Sequence, residues 1–278
     1  MTDNDKIVIA TVNGLKLVQL CDKDFNDLMQ YLVEHFTPNE PTSRSINITS
    51  NDEWEMTGAA IRRCLKLPYS YALKNENDEI VATRIADVIE RPKLNDTGKN
   101  EGSLDTKEIL AYILHYTVNM QIQHISSNIK FRTKRILWFA SRFLGASNEQ
   151  CGNQSKKMTV SATEMNRLIN ALESKIWQLM PLSTTKLLKI LIVSTHEKYT
   201  RRGLMHKLMT FDMTEQKRDG IQGGISKAIA QNSQRLFAKL GYQVIYQINY
   251  DEWLDKDGKQ IFNCDDGTNC AQLVYKSY

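Results

Sequence analysis

The 278-residue chain predicts a mixed α/β fold, a central mixed sheet flanked by helices. Four observations carry that prediction. Leu187–Val193 is apolar apart from Lys189 and rich in branched side chains, the composition of a strand buried on both faces. From Leu204 the spacing turns helical, with Leu204, Leu208 and Phe211 on one stripe and Met205 and Met209 beside it. Between them lies the basic turn Thr200-Arg201-Arg202-Gly203. Finally, the periodicity alternates along the chain in the order β-α-α-β-β, an irregular middle, then α-β-α-β-α-β-β, with no internal repeat.

Taken in order, Gly14–Gln19 alternates as a first strand. A helix capped by Asp22 or Asp24 follows, with Phe25, Leu28, Met29, Leu32, Val33 and Phe36 on one face. It stops at Thr37-Pro38-Asn39-Glu40-Pro41, where two prolines forbid continuation. A second helix covers Asp52–Leu65 and ends before Pro68. Tyr69–Leu73 and Glu79–Glu90 are strands joined by the turn Asn75-Glu76-Asn77-Asp78. Residues 93–160 are read as an atypical basic insertion or irregular segment within one domain spanning 1–278. It holds a possible helix at Leu104–Met120 and a basic aromatic stretch at Ile129–Leu144.

Order resumes at Ser161-Ala162-Thr163-Glu164, which has capping-box spacing. It leads a helix with Met165, Leu168, Ile169, Leu172, Ile176 and Leu179 on one face, stopped by Pro181. After the strand, turn and helix described first, Ile221–Ile225 reads as a strand and Ala228–Leu240 as a helix closed by Gly241. Tyr242–Tyr250 and Ala271–Tyr275 are the last strands.

Composition narrows the function classes. Hydrophobic content of 41% and charged content of 24% are ordinary for a globular protein. No secretory signal stands at the start, and no run approaches the ~18 apolar residues of a membrane span. Five scattered cysteines, without a histidine placed to complete a zinc site, predict a reducing, cytoplasmic setting and no metal. The net charge of +4 is local: Ile109–Asn148 contains no acidic residue, while Lys130, Arg132, Lys134, Arg135 and Arg142 exceed the whole-chain excess by themselves. No chain-wide nucleic-acid footprint is expected. The basic stretch reads as a solvated insert, with a membrane-surface helix or a nucleic-acid patch as alternatives.

The turn at Thr200–Met205 has the chemistry of a diphosphate cradle. The first N–H groups of a helix lack intrahelical partners, glycine permits close approach, and two arginines add positive field. Val193–Met205 resembles the acyl-CoA-binding motif of the GNAT N-acetyltransferase superfamily, a strand followed by Arg/Gln-x-x-Gly-x-Gly/Ala. Gln231–Tyr242 resembles that family's later helix, ending in Lys-x-Gly-aromatic. Phe36-Thr37-Pro38-Asn39-Glu40-Pro41 is similar to the Phe-x-x-(Asp/Asn)-Glu-Pro signature of invertebrate arylalkylamine N-acetyltransferases. The resemblance covers most of residues 14–92 and 161–276. Thr200 and Met205 depart from it, and Phe237 stands where some members carry a tyrosine that protonates the leaving thiolate.

The resemblance implies acetyl transfer from acetyl-CoA, as co-substrate, to a small primary amine, an arylalkylamine in the first instance, by direct attack on the thioester. It places backbone groups of Val193 and Thr195 along the pantetheine and acetyl unit. Thr200, Arg201, Arg202, Gly203, Leu204 and Met205 then hold the diphosphate, with Asn232 as a further contact. It assigns Glu40 as the base and Ser233 as the nearest hydroxyl by position to replace the missing tyrosine. Two rivals are a protein lysine or N-terminal acetyltransferase and a non-catalytic acyl-CoA-binding relative. His196 and His35 are expected to be structural or partly solvated.

Overall fold

A computed structural model describes residues 8–94, 100–101 and 159–278. The chain divides into two compact units, Met1–Arg91 with Lys157–Tyr278, and Pro92–Lys156. The first unit opens with a hairpin, β1 (Val8–Val12) and β2 (Leu15–Gln19), around Asn13 and Gly14. Both turn residues have positive φ, 50° and 78°, as a tight Asn-Gly hairpin turn requires. The expected first strand is therefore the second one, because the Asn-Gly signal pairs it with the residues before it.

The first helix is less regular than its stripe predicts. Asp22–Asp24 is a 3-10 turn, α1 spans Phe25–Tyr31, and the chain then widens into a π-helical turn at Leu32–Phe36. A further 3-10 turn, Thr37–Asn39, leads into the short helix α2 (Pro41–Ser45). Helix α3 (Ser50–Cys64) is capped by Thr49, whose hydroxyl accepts from Asp52 N–H. Strands β3 (Tyr71–Lys74) and β4 (Ile80–Glu90) follow. In the second unit β5 (Lys93–Leu94) pairs antiparallel with β6 (Asn100–Glu101). The expected helix at 104–120 and the basic stretch at 129–144 lie outside the described residues.

Helix α4 (Val160–Glu173) is capped by Thr159, which accepts from Ala162 N–H. Ser161, expected at that cap, instead donates to Ile46 O at 2.5 Å. The helix breaks at Ser174–Lys175 before α5 (Ile176–Leu179), which leaves Leu179 42% exposed rather than on the buried stripe. Then come β7 (Lys186–Thr195), α6 (Leu204–Thr210), α7 (Met213–Arg218), β8 (Gly223–Ala228), α8 (Gln231–Lys239), β9 (Gln243–Asn249) and β10 (Cys270–Ser277). Strand β8 begins two residues later than Ile221. Gly224 explains the glycine pair there: a Cβ on it would run into the Tyr242 hydroxyl.

The eight strands of the first unit form one sheet in the order β1-β2-β3-β4-β7-β8-β10-β9. Every neighbour is antiparallel except β7 and β8. One face buries Phe25, Leu28, Met29 and Ile61 from α1 and α3, and Met165, Leu168 and Leu172 from α4. The opposite face buries Leu204, Leu208 and Met209 from α6, and Phe237 from α8. At roughly 1.5–3 kcal/mol for each large apolar side chain buried, these two layers supply the driving force that fixes the sheet.

One buried ion pair pins β4 to the α6–α7 junction. Arg84, fully buried, forks onto Asp212 at 2.7 and 2.8 Å and also donates to the carbonyls of Leu208 and Tyr69. The pair orients the chain leaving the basic turn.

Candidate active site

Strand β7 is the axis of the site. It pairs with β4 over its whole length, from Glu90↔Lys186 to Ala82↔Thr195, but with β8 only through Leu188, Lys189 and Ile190. The last contact of that seam is Ser226 Oγ donating to Ile190 O at 3.0 Å. Beyond it the two parallel strands part. At the same place β7 carries a bulge. Ile85 pairs with Ile192 and Ala86 with Ile190, so Leu191 has no partner on β4. The extra residue exchanges faces: Ile190 packs with Leu188 against α6 and α8, while Ile192 joins Ile85 on the α1 side.

The hydrogen-bond alternation decides which backbone groups the parting exposes. His196 N–H donates to Val81 O at 2.8 Å. In an antiparallel ladder alternate residues bond to the same neighbour, so Ser194 and Ile192 also face β4. Val193 and Thr195 therefore turn their N–H and C=O groups toward the side that β8 has left. A buried strand with unpaired polar groups on one edge needs a partner there.

That edge runs directly into the basic turn. Thr200 is extended, Arg201 has φ +61° and Gly203 φ +72°. The first intrahelical donation of α6 is Lys207 N–H to Gly203 O at 3.2 Å. The N–H groups of Leu204, Met205 and His206 precede it, and Gly203 offers no side-chain cap. A Cβ on Gly203 would meet nothing within 4 Å, so its requirement is the left-handed backbone and not space. Met205 does not project over the turn, because its side chain packs against the two apolar clusters beneath α6. Arg202 folds back, donating to Lys198 O at 3.0 Å with its guanidinium 4.8 Å from the Tyr199 ring.

Glu40 is the N-cap of α2. Its carboxylate accepts Thr42 N–H at 3.1 Å on one oxygen and Ser43 N–H at 2.5 Å on the other, with Pro41 at the first helical position. It is only 6% exposed. Burial pushes its pKa above the ordinary carboxylate range, while the bonds from Ser43 and Thr42 pull the other way. A second carboxylate lies beside it. Glu53 accepts the Thr37 hydroxyl at 3.1 Å on Oε2, and among the described residues its buried Oε1 has no hydrogen-bond partner. Burial raises its pKa, opposed by Thr57 and Thr37 and reinforced by the charge of Glu40.

Three segments converge at the end of β8. Thr42 Oγ1 donates to Ile229 O at 2.9 Å, and the Tyr250 hydroxyl reaches the same carbonyl at 3.1 Å. Asp266 accepts Gln231 N–H at 2.9 Å, holding the loop before β10 to the start of α8. Ser233, in the first turn of α8, gives its hydroxyl hydrogen to Ala230 O at 2.8 Å. Asn232 beside it is exposed. Phe237 is wholly buried, its ring 5.0 Å from that of Tyr242 and edge-on to it.

The structure thus joins Val193 and Thr195 to Thr200–Met205 through one continuous strand and turn, and joins Glu40 to the Ile229–Ser233 segment through Thr42. Among the described residues no direct hydrogen bond links the Glu40 turn to the Thr200–Met205 turn. Sequence reading missed Glu53, Arg44 and a contact on the α1 side, where the Tyr31 hydroxyl and Ser194 Oγ lie 3.1 Å apart. Beside that contact His35 and His196 lie ring on ring at 4.3 Å, and burial together with His35 lowers the His196 pKa. His196 Nδ1 accepts Lys198 N–H at 3.2 Å in the turn. The proline-flanked run Thr37–Pro41 could have marked Glu40 as a cap. Nothing local marks residues that meet from more than a hundred positions away.

No family model matches the sequence, and no curated protein matches it either. Solved structures do. Arylalkylamine N-acetyltransferase 2 from Aedes aegypti has a TM-score of 0.65 at 18% identity, covering 95% of this chain and 99% of its own. The Drosophila melanogaster polyamine N-acetyltransferase that forms N-acetylagmatine has a TM-score of 0.60 at 16% identity, covering 95% and 100%. A mosquito arylalkylamine N-acetyltransferase-like 5b protein has a TM-score of 0.62 at 14% identity, covering 95% and 100%. Their shared architecture is the GNAT fold, and this chain has it. Among the described residues no helix is long and apolar enough to cross a membrane.

Proposed function

We propose that this protein is an acetyl-CoA-dependent N-acetyltransferase acting on a small primary amine, with arylalkylamines as the first class to test. The observation that supports it most is the parting of β7 from β8 beside the Arg201–Met205 turn. An exposed strand edge that leads into uncapped helical N–H groups matches a ligand with an amide-bearing arm and a diphosphate, and the fold is one that N-acetyltransferases use. Acetyl-CoA would supply the activated thioester carbonyl.

In this reading Val193 and Thr195 hold the amide arm by strand-like hydrogen bonds. A backbone N–H on that edge faces the developing oxyanion, a kind of donor worth about 2.7–4 kcal/mol of barrier. Gly203, Leu204 and Met205 hold the diphosphate with their N–H groups, with Thr200, Arg201 and Arg202 around them and Asn232 as a contact from α8. The amine attacks the carbonyl carbon, the C–N bond forms and the C–S bond breaks. Glu40, its pKa raised by burial, accepts the amine proton through water. Ser233 is the hydroxyl assigned to the leaving thiolate. It must give up its bond to Ala230 to act, so its share is small. Phe237 supplies no proton.

The test is to follow free thiol release from acetyl-CoA with tryptamine, dopamine, agmatine and lysine-bearing peptides. Release with the small amines and not with the peptides supports the proposal. Release only with peptides moves the acceptor to a protein amine. Cofactor binding without release from any acceptor leaves a non-catalytic acyl-CoA binder. The cytoplasmic setting belongs to the same proposal, since acetyl-CoA must be at hand.

A further inference from the structure

The span Pro38–Arg44, which carries Glu40, is closed on itself by its last residue. Arg44 N–H donates to Glu40 O at 3.0 Å, and Arg44 Nη1 donates to Pro38 O at 3.2 Å. The other edge of the same guanidinium forks onto Asp265: Nε reaches Oδ2 at 3.0 Å and Nη2 reaches Oδ1. Asp265 belongs to the loop before β10, which its neighbour Asp266 fixes through Gln231 N–H and Thr268 N–H, both at 2.9 Å. One planar group therefore ties the turn bearing Glu40 to a loop 221 residues away in sequence. Only arginine has the fork geometry to do both, since lysine offers a single rotating point charge.

Arg44 also lines an open cleft of about 490 Å³ with Thr37, Pro38, Asn47 and Ile48. Thr37 is the residue whose hydroxyl reaches Glu53 on α3, so the backbone segment that walls the cleft carries Glu40 and touches the second buried carboxylate through Thr37. Arg44 makes no hydrogen bond to the Glu40 carboxylate, whose oxygens are taken by Thr42 and Ser43. It acts on Glu40 through that backbone bond and through the attraction of the two charges across space.

We infer that Arg44 and Asp265 form a latch that positions Glu40, completing the wall of the amine cleft by holding the loop before β10 against the α2 turn. The inference rests on the acetyltransferase reading of Glu40. Arg44 is thus a positioning residue. The latch is partly solvated, with side-chain exposures of 36% for Arg44 and 63% for Asp265. Water screens its attraction, so its value lies in geometry and its loss is felt as a few-fold effect.

The experiment uses the full chain with Arg44→Gln, Asp265→Asn and the double substitution. Steady-state thiol release is measured with acetyl-CoA and tryptamine, alongside amide hydrogen exchange. Each single variant is expected to raise the amine KM about three- to tenfold while the acetyl-CoA KM stays within about twofold. The double variant is expected to be no worse than the worse single, because the two residues act as one unit. Exchange should quicken in both 37–45 and 264–268 in either single variant. Additive losses, equal changes in both KM values, or exchange altered only around the substituted residue would overturn the latch. A wild-type protein that releases no thiol with any amine removes the acetyltransferase reading and with it the assigned role of Glu40. The exchange coupling between the two loops then decides whether the latch itself exists.

Discussion

At the start of α2 the N–H groups of Thr42 and Ser43 end on the carboxylate of Glu40. At the start of α6 the residue in the same position is Gly203, which has no side chain to offer, and the N–H groups of Leu204, Met205 and His206 precede the helical ladder. Both helices begin with the same unsatisfied donors. In one, the chain supplies its own anion and buries it; in the other, the donors stay on an exposed turn with two arginines. A filled helix start fixes a carboxylate where it can meet a proton. An unfilled one, opened by a left-handed glycine and followed by a side chain turned inward, is shaped to receive a polyanion. In the proposed reading the contrast separates the two jobs of an acyl transferase, and each end can be altered without touching the other.

The largest effect is expected at the filled end. Glu40→Ala should lower turnover by about tenfold or more if Glu40 accepts the amine proton. As a lost cap it should also cost about 0.5–2 kcal/mol, read by urea unfolding. Glu40→Gln separates the two roles, since an amide oxygen still caps but accepts no proton. Burial raises the Glu40 pKa, so wild-type kcat/KM should fall as pH drops through that raised value and level off above it. The deficit of both variants should shrink at high pH, where the free amine needs no base. Wild-type turnover in Glu40→Gln would make the filled helix start purely structural.

A smaller effect is expected at the unfilled end. Gly203→Val forces a β-branched residue to φ +72°, a conformation costing roughly 1–2 kcal/mol for L-residues. Because a Cβ there meets nothing, crowding is not the cause of any loss. Coenzyme A should bind about tenfold more weakly by calorimetry, as that backbone penalty implies at 1.4 kcal/mol per decade, with the amine KM unchanged. Equal binding would show that the turn adopts its shape without the glycine, and that the contrast with α2 is accidental.

How much of this was legible in sequence follows from what each feature depends on. The fold class and most elements rest on local periodicity, and Leu187–Val193 and the Phe25–Leu32 stripe were readable for that reason. The β1–β2 hairpin has a local signal in Asn13-Gly14, but the runs on either side are short and weakly apolar. The kinked course of 22–39, with α1 giving way to a π turn, has no periodic signature. Of the candidate site, the sequence marks only parts that are contiguous, as in Thr200–Met205, or that match the order of motifs in a family, as Glu40 does. The parting of β7 from β8 is a property of pairing. The bulge at Leu191 needs both strands to be seen. The inward turn of Met205 needs the clusters under α6, and the Arg44–Asp265 fork joins residues that no local pattern relates.

The finest division lies within the unfilled end itself, between its two arginines. Arg202 is engaged in holding the turn: its guanidinium binds Lys198 O and covers Tyr199, and its carbonyl accepts the Asn13 side chain at 3.1 Å. Arg201 is exposed, and among the described residues its side chain makes no hydrogen bond or ion pair. A solvated charge near a polyanion acts through a screened field, worth a few-fold in affinity at moderate salt. Arg201→Gln should therefore weaken coenzyme A binding about two- to threefold at low salt, with the difference vanishing near 1 M salt, where the Debye length falls to about 3 Å. Arg202→Gln removes a strut instead. Its loss should appear as faster proteolysis of the turn and should persist in high salt. If the two variants show the same salt dependence, the arginines act as one diffuse positive field, and the turn is held by its backbone alone.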